Sequence, residues 1–550
     1  MGATLRAVRA LVLLAGFYLL GLLLLAALAG IDLALIGLTD GGPVAAKIVV
    51  VSVLLAVPIV RGMFMLRTPK DEPHPGIRVT PEQEPRLWQI VRELAEQVDT
   101  RAPDEIVLTD EVNASVSEQA RFGGLVGGRR TLTLGLPLMS GLDEMQLRAV
   151  LAHELGHYSH SDTRFTPLIV RGKAQIERTV AHFHARADKT AAKELARQEK
   201  AAAKRLAKGK KAGEVSASGA GATYRAMAKI YTWYAGLFLR ATLSGFRRQE
   251  YAADLAAARI AGRDAYASAL RELPALSAAY GFYMESYATL GLGARLLPPQ
   301  GQFYGGFVHL LPARSADLDE LRTDLPTDPA SPYDSHPPIA DRVARIEALP
   351  DDGRGSGYAD GTRPGPALDL LSAPADALAA LEREFLSEEA LALPRADWDE
   401  LVHRSMTQYV GQGAGPIREA VAAEVAATTG SSAHMTPGTG TLVHLLDLVE
   451  ADPAALWRLA GRFPKSDEAA AASGRAAREF ARPVVRRALK QLVVVELTAA
   501  GTARWQLSWS DEASLRYPGD GYEDQLALAI DAAVADLPDT TPLRKLVLAS

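Results

Sequence analysis

With 550 residues and 48% hydrophobic content, the chain can bury large cores in two soluble units besides any membrane part. A formal charge of −5 excludes a general affinity for nucleic acid. Cysteine is absent, which rules out disulfides and thiolate metal sites, so a zinc site here has to be built from histidine and carboxylate.

Ala10 to Ile31 are 22 residues without a charge, rich in Leu and Ala, enough to cross about 30 Å of hydrocarbon as a helix. A signal peptide is the alternative, with Arg6 and Arg9 as its basic end and Ala27-Leu28-Ala29 as its cleavage site. The length of the run, and a second apolar run from Val44 to Leu66 broken by Lys47 and Arg61, favour a membrane hairpin. The loop between the runs carries Asp40 but no Lys or Arg, whereas Arg61, Arg67 and Lys70 join Arg6 and Arg9 on the outer sides. The positive-inside rule then places both ends, and the bulk of a multi-pass cell-membrane protein, in the cytoplasm.

Four parts are expected: a transmembrane hairpin over 1–70, a domain over 76–349, a linker over 350–366 and a mainly helical domain over 367–550. In the second part, Leu87, Ile90, Val91, Leu94 and Val98 predict an amphipathic helix over 81–98. Ile106-Val107-Leu108 and Thr131-Leu132-Thr133-Leu134 predict strands, with Val112-Asn113-Ala114-Ser115 between them. Such strands are either ordinary core elements or an exposed edge to which an extended substrate adds.

The stretch Leu151-Ala152-His153-Glu154-Leu155-Gly156-His157 follows. On a helix His153 and His157 project from one face a turn apart, with Glu154 on the same side. Two neutral imidazoles at that spacing can bind one Zn²⁺, and the carboxylate between them can hold and deprotonate a water. Leu147, Val150, Leu151 and Leu155 supply the helix's apolar stripe, and Ser140 or Asp143 its cap. The pattern can also arise in an amphipathic helix with no metal, so a third ligand is needed to decide.

Between Arg186 and Lys211 there are ten Lys or Arg against three Asp or Glu, then the tether-like stretch Gly213 to Ala222. The basic part reads as a solvated helix or as a surface for anionic lipid headgroups. Tyr224 to Phe246 is apolar and aromatic, but its longest uncharged run is the ten residues from Ile230 to Leu239, short for a span. It lies at a membrane surface or packs on the domain.

Arg247-Arg248-Gln249-Glu250-Tyr251-Ala252-Ala253-Asp254 continues helically to a stop at Gly262. Glu250 can complete a His₂Glu site and Asp254 can take the free N–H of a ligand imidazole. Taken alone, this segment is equally a surface Glu and Asp on an Ala-rich helix. His160 competes as a ligand, but the longer HExxHxxGxxH pattern fails at His160 and Thr163; His182 and His184 read as solvated.

These motifs, followed by Ser335-His336-Pro337-Pro338 and Arg342, resemble in kind and order those of the HtpX-like membrane zinc peptidases, a family that also holds the CAAX prenyl endopeptidases and the Oma-type peptidases. The likeness covers about residues 75 to 350 plus the membrane anchor. It implies an α+β, mostly helical gluzincin fold that holds one Zn²⁺ per chain. It also implies hydrolysis of peptide bonds in proteins, with membrane-protein quality control as one role. Carried over, His153, His157 and Glu250 are zinc ligands, Glu154 is the general base and His336 faces the scissile carbonyl. Asp254 and Asp162 support the ligands, while Asn113, Ala114 and Arg342 bind substrate. Many relatives place further membrane segments between HExxH and the Glu ligand where this chain has its basic insertion, which argues against a membrane-embedded cleavage chamber. The alternative is a catalytically silent scaffold or regulator of the same fold at the membrane.

Beyond residue 366 helices are predicted at about 374–392, 416–428, 440–462, 467–490 and 522–536, with a hairpin joining 491–498 to 503–509. No metal, phosphate or nucleophile motif occurs there.

Overall fold

The structure is a computed structural model that describes residues 3–39, 42–64, 75–118, 128–158, 166–206, 208, 219, 221–327, 337–351, 353, 365–429, 440–463 and 466–548. Two compact units form: Met1–Leu276 with Glu320–Pro374, and Ser277–Asp319 with Ala375–Ser550. Both are mainly helical.

The first unit opens with helices α1 (Ala3–Thr39) and α2 (Pro43–Phe64). Within α1, Ala15–Leu38 is long and apolar enough to cross a membrane and is almost wholly exposed; the apolar run in α2, Lys47–Val57, is shorter. Ser52 on α2 donates to Asp32 on α1 at 2.8 Å, so the one carboxylate in that run of α1 has a partner. Two long helices, α6 (Thr166–Leu206) and α7 (Ala222–Ala261), pack on this pair. Phe17, Ile59, Ile176, Phe183, Ala228, Tyr231, Tyr234 and Phe238 form their shared core. Tyr234 donates to the Leu13 carbonyl and Tyr18 to Gln175. The segment from Tyr224 therefore packs against α1 and α6 over its described residues. The basic segment ends α6 as an exposed helix through Leu206, and most of the expected tether, 209–218 and 220, lies outside the described residues.

The soluble part of this unit is built on a four-stranded sheet in the order β1-β2-β4-β3, with β1 (Ile77–Val79), β2 (Glu105–Thr109), β3 (Ala114–Glu118) and β4 (Arg130–Gly135). β2 and β4 run parallel, while β1 and β3 pair antiparallel to them at the two edges. Ile106, Leu108, Leu132 and Leu134 are fully buried, as a two-sided central strand requires. Helix α3 (Pro85–Gln97) starts at a proline and buries Leu87, Ile90, Val91 and Leu94; Trp88 Nε1 donates to Val79 O at 3.0 Å and ties it to β1. A short helix α4 (Leu136–Gly141) leads into α5 (Glu144–Gly156).

The start of α5 is fixed by a reciprocal cap. The Asp143 carboxylate accepts from Gln146 N–H at 2.8 Å, and the Gln146 side chain accepts from Asp143 N–H at 2.9 Å. Residues 365–367 brace the same point through Glu144 N to Gly365 O and Ala367 N to Leu142 O. Leu147, Leu151 and Leu155 are fully buried against α3, the sheet and α7. α7 stops at Gly262, whose φ of +103° suits glycine, and the chain turns into α8 (Arg263–Tyr283).

In the second unit the run Gln491–Thr498, expected as a strand, is instead the end of the helix Gly474–Ala499. Leu489, Leu492, Val493 and Leu497 recur at helical spacing and are all buried, and that burial overrides the β-preference of the valines. The hairpin joins β5 (Arg504–Gln506) to β6 (Ser514–Arg516). The helix expected over 440–462 breaks at Pro453 into Thr441–Ala451 and Ala455–Gly461. Trp398–Gly413 is a further helix, which the apolar periodicity of the sequence does not predict.

α5 and α7 touch at Gly156, where a Cβ would lie 3.4 to 3.7 Å from Ala253 and Ala256, ordinary contact distances. Gly156→Ala is therefore expected to fold normally. Gly156→Leu is expected to force the helices apart and cost about 1–3 kcal/mol, read as a fall in thermal midpoint relative to both wild type and the alanine variant.

Candidate metal centre

His153 lies in the last turn of α5, His157 is its C-cap residue, and Glu250 lies on α7 where the two helices meet. His153 and Glu250 are buried, and the His157 side chain keeps 24% exposure. The Nε2 atoms of the two imidazoles are 3.2 Å apart. Glu250 Oε2 is 3.6 Å from His153 Nε2, and Oε1 is 3.7 Å from His157 Nε2. Ligands about 2.0–2.1 Å from a tetrahedral ion sit about 3.3–3.4 Å apart. The triangle of donor atoms thus has the size of one face of such a tetrahedron. The rings stand nearly perpendicular, at 82°, so their nitrogens converge instead of stacking. Among the described residues these three form the group of His, Asp and Glu able to hold a metal ion.

Behind His153 is a polar cluster that fixes its ring. Nδ1 lies 3.1 Å from Asp254 Oδ1 and 2.9 Å from the Tyr266 hydroxyl on α8. Tyr266 donates to Asp254 Oδ1 at 2.6 Å. Arg342, on the helix Ile339–Glu347, donates to Asp254 Oδ1 at 2.6 Å and to the Tyr266 oxygen at 2.8 Å. All four side chains are buried, so each hydrogen bond offsets a desolvation penalty, and removing one partner leaves another polar group stranded. An Asp254 carboxylate accepting from Nδ1–H leaves Nε2 as the nitrogen turned to the metal.

Electrostatics agree with this assignment. Burial alone would lower the His153 pKa, but the Asp254 and Glu250 carboxylates, which accept from its ring, and the nearby charge of Glu154 raise it to about 9. Burial would raise Asp254, yet His153 and Arg342 hold it down to about 2. The Tyr266 phenol is pushed well up by burial and stays a donor. Arg342, read from sequence as a substrate-binding residue, is buried with its guanidinium on Asp254 and Tyr266.

Glu154 is half-buried on α5, in sequence between His153 and His157. Asn113 is exposed and Ala114 opens β3, the strand at the sheet edge that contacts α5. Asp162, His336 and His160 lie outside the described residues. Two residues of the site were not singled out in the sequence, Tyr266 and Tyr158. Tyr266 reaches His153 only because the chain turns at Gly262, and Tyr158 reaches β3 across the fold; neither placement has a spacing signal.

Two histidines one turn apart and a glutamate from a second helix, with His153 braced from behind, form a His₂Glu group that could hold one metal ion. Residues 81–349 match the model of peptidase family M48, and the chain belongs to that family. It is similar to "Protease HtpX homolog 1" of Saccharolobus solfataricus, with 36% identity over 76 residues, which are 14% of this chain and 23% of that protein's length. No solved structure matches.

Two outcomes follow from the cluster. Asp254→Ala is expected to weaken zinc binding about 10- to 100-fold, read by competition with a chromogenic chelator. Because His153 of the metal-free chain keeps its proton up to about pH 9, zinc has to displace it. Apparent affinity in the same assay should climb about tenfold per pH unit from neutrality to about pH 9 and level off above. The histidine's contribution to folding of the metal-free chain has the opposite sign, being complete below its unfolded value of 6.5 and lost as pH rises through about 9.

Proposed function

We propose that this chain is a membrane-anchored zinc metalloendopeptidase that hydrolyses peptide bonds in cytoplasmic or membrane-proximal protein segments. The observation that carries the reading is the convergence of His153, His157 and Glu250 within 3.7 Å, with a second carboxylate, Glu154, on the helix of His153. Family M48 membership and the likeness to a protease point the same way. Two imidazoles and a carboxylate are a donor set that would favour zinc, with His153, His157 and Glu250 as the residues that would hold it.

Zinc held there supplies Lewis acidity to a water and to the peptide carbonyl. Glu154 accepts the water's proton as attack proceeds and gives it to the leaving amine. The intact acid at this position speaks for an active enzyme over a silent scaffold. Asp254, Tyr266 and Arg342 keep His153 in the tautomer that presents Nε2. In this reading Asp162 has the supporting acidic role that the family likeness implies, and His336 donates to the oxyanion that develops on the carbonyl, a contribution for which loss of one donor typically costs about 10²- to 10³-fold in rate. Asn113 and Ala114 hold the substrate backbone along β3.

α1 supplies the anchor, with α2 as the return span. The basic residues outside the pair support a cytoplasmic side for the catalytic unit.

The test is cleavage of casein by the purified full-length chain beside Glu154→Gln, with zinc determined on both. One zinc per chain in each, and a loss of about 10²- to 10⁴-fold in rate for the variant, is the expected result. Zinc in both and cleavage by neither would move the scaffold reading ahead, and a chain that holds no zinc would remove the site.

A further inference from the structure

Tyr158, the residue directly after the candidate ligand His157, makes a contact that the hydrolytic reading does not use. Its hydroxyl donates to the Val116 carbonyl of β3 at 2.7 Å. That carbonyl faces away from the sheet. Gly135 N–H donates to Asn113 O at 2.8 Å, and the register pairs Ala114 with Leu134 and Val116 with Leu132. Bonding alternates along an antiparallel ladder, so Ser115 and Ser117 turn their backbone groups to β4, while Ala114 and Val116 turn theirs outward. Among the described residues no strand lies beyond β3. Its outward groups are thus a template for one more strand, and one of them is already taken by the phenol.

The phenol is held in place from several sides. Tyr158 N–H donates to Leu155 O at 3.0 Å, and its carbonyl accepts from Thr100 Oγ1 at 3.1 Å. The Arg130 guanidinium stacks on its ring, 4.6 Å from the centroid, and is itself buried and paired with Glu118 at 2.9 Å.

We infer that Tyr158 closes one end of the substrate groove and sets how much of an extended polypeptide is read. This rests on the peptidase reading and adds to it a residue that determines specificity. A segment added antiparallel to β3 exchanges two hydrogen bonds with Ala114. Its next pairing, two residues nearer the amino end, falls at Val116, where the carbonyl is occupied and the ring stands in the way. Pairing therefore ends about two residues beyond the one opposite Ala114. The substrates selected are unfolded or locally extended segments gripped over a short stretch on the amino side of the cut. Long preformed strands are not selected.

The test uses peptide hydroxamates, whose zinc-binding group fixes the register, with one to six residues on the amino side. Their binding to the full-length zinc-loaded chain is compared with binding to Tyr158→Phe and Ala114→Pro, each checked for zinc content and thermal midpoint. For the wild type, affinity should stop improving after about three residues. Tyr158→Phe frees the Val116 carbonyl, and the next two residues should tighten binding about three- to tenfold, the worth of one or two backbone hydrogen bonds. Ala114→Pro removes an outward N–H without breaking the ladder to β4 and should weaken every peptide longer than one residue.

The same length profile in wild type and Tyr158→Phe overturns the role of Tyr158, and an inert Ala114→Pro overturns β3 as the substrate edge. A chain that shows the expected profile yet cleaves no casein would sink the peptidase reading and leave the groove standing. Casein cleavage with an unchanged length profile would do the reverse.

Discussion

The close contact of α5 with α7 is the constraint on which the site depends. Neither helix carries a complete metal site: α5 brings two imidazoles and α7 one carboxylate. They meet within 3.7 Å where Gly156 of α5 lies against Ala253 and Ala256 of α7, small residues on both helices that keep the contact close. The buried apolar side of α5 presses it onto the sheet, and its reciprocal cap fixes where the first turn begins. The energy that gathers the ligands is thus ordinary hydrophobic packing, and the donor triangle is already the size an ion requires.

The buried cluster behind His153 completes the arrangement. Asp254 is one turn beyond Glu250 on α7, so the helix that supplies a ligand also supplies the acceptor for another ligand's N–H. Arg342 and Tyr266 neutralise and saturate that acceptor from two further helices. A buried carboxylate between an arginine, a phenol and an imidazole has little freedom to move, so the ring it holds keeps one orientation. Tyr158 plays the complementary part, joining the end of α5 to the edge strand, so that His157 and the strand are tied together by one side chain.

The long helices connect this chemistry to the apolar helices. α7 runs from the core it shares with α1, at Tyr231 and Tyr234, to Glu250, so one continuous helix carries both contacts. At about 1.5 Å per residue, that places Glu250 about 24 Å along the helix from Tyr234. α1 leaves Leu19, Leu22, Leu23 and Leu33 exposed, an apolar surface suited to lipid.

Much of this was legible in the chain itself. The spacing of His153 and His157, the helical run through Glu250 and Asp254, and the absence of cysteine determined the kind of site, because i, i+4 placement on a helix depends only on local geometry. The apolar residues of α1, α3 and α5 and the strands β2 and β4 were readable for the same reason: a face buried by packing leaves a period in the sequence. What depends on distant neighbours was not readable. The valines of 492–495 look like a strand and are helical because one face of that helix is needed in a core. Whether the segment after Tyr224 packs was decided by α1 and α6. Arg342 read as a groove residue but is buried on Asp254, and Tyr266 and Tyr158 carried no sign of their contacts with His153 and Val116. Local spacing determined which atoms can bind a metal; only the tertiary structure decided what holds them still and what borders the groove, because those contacts join residues 42 to 189 positions apart.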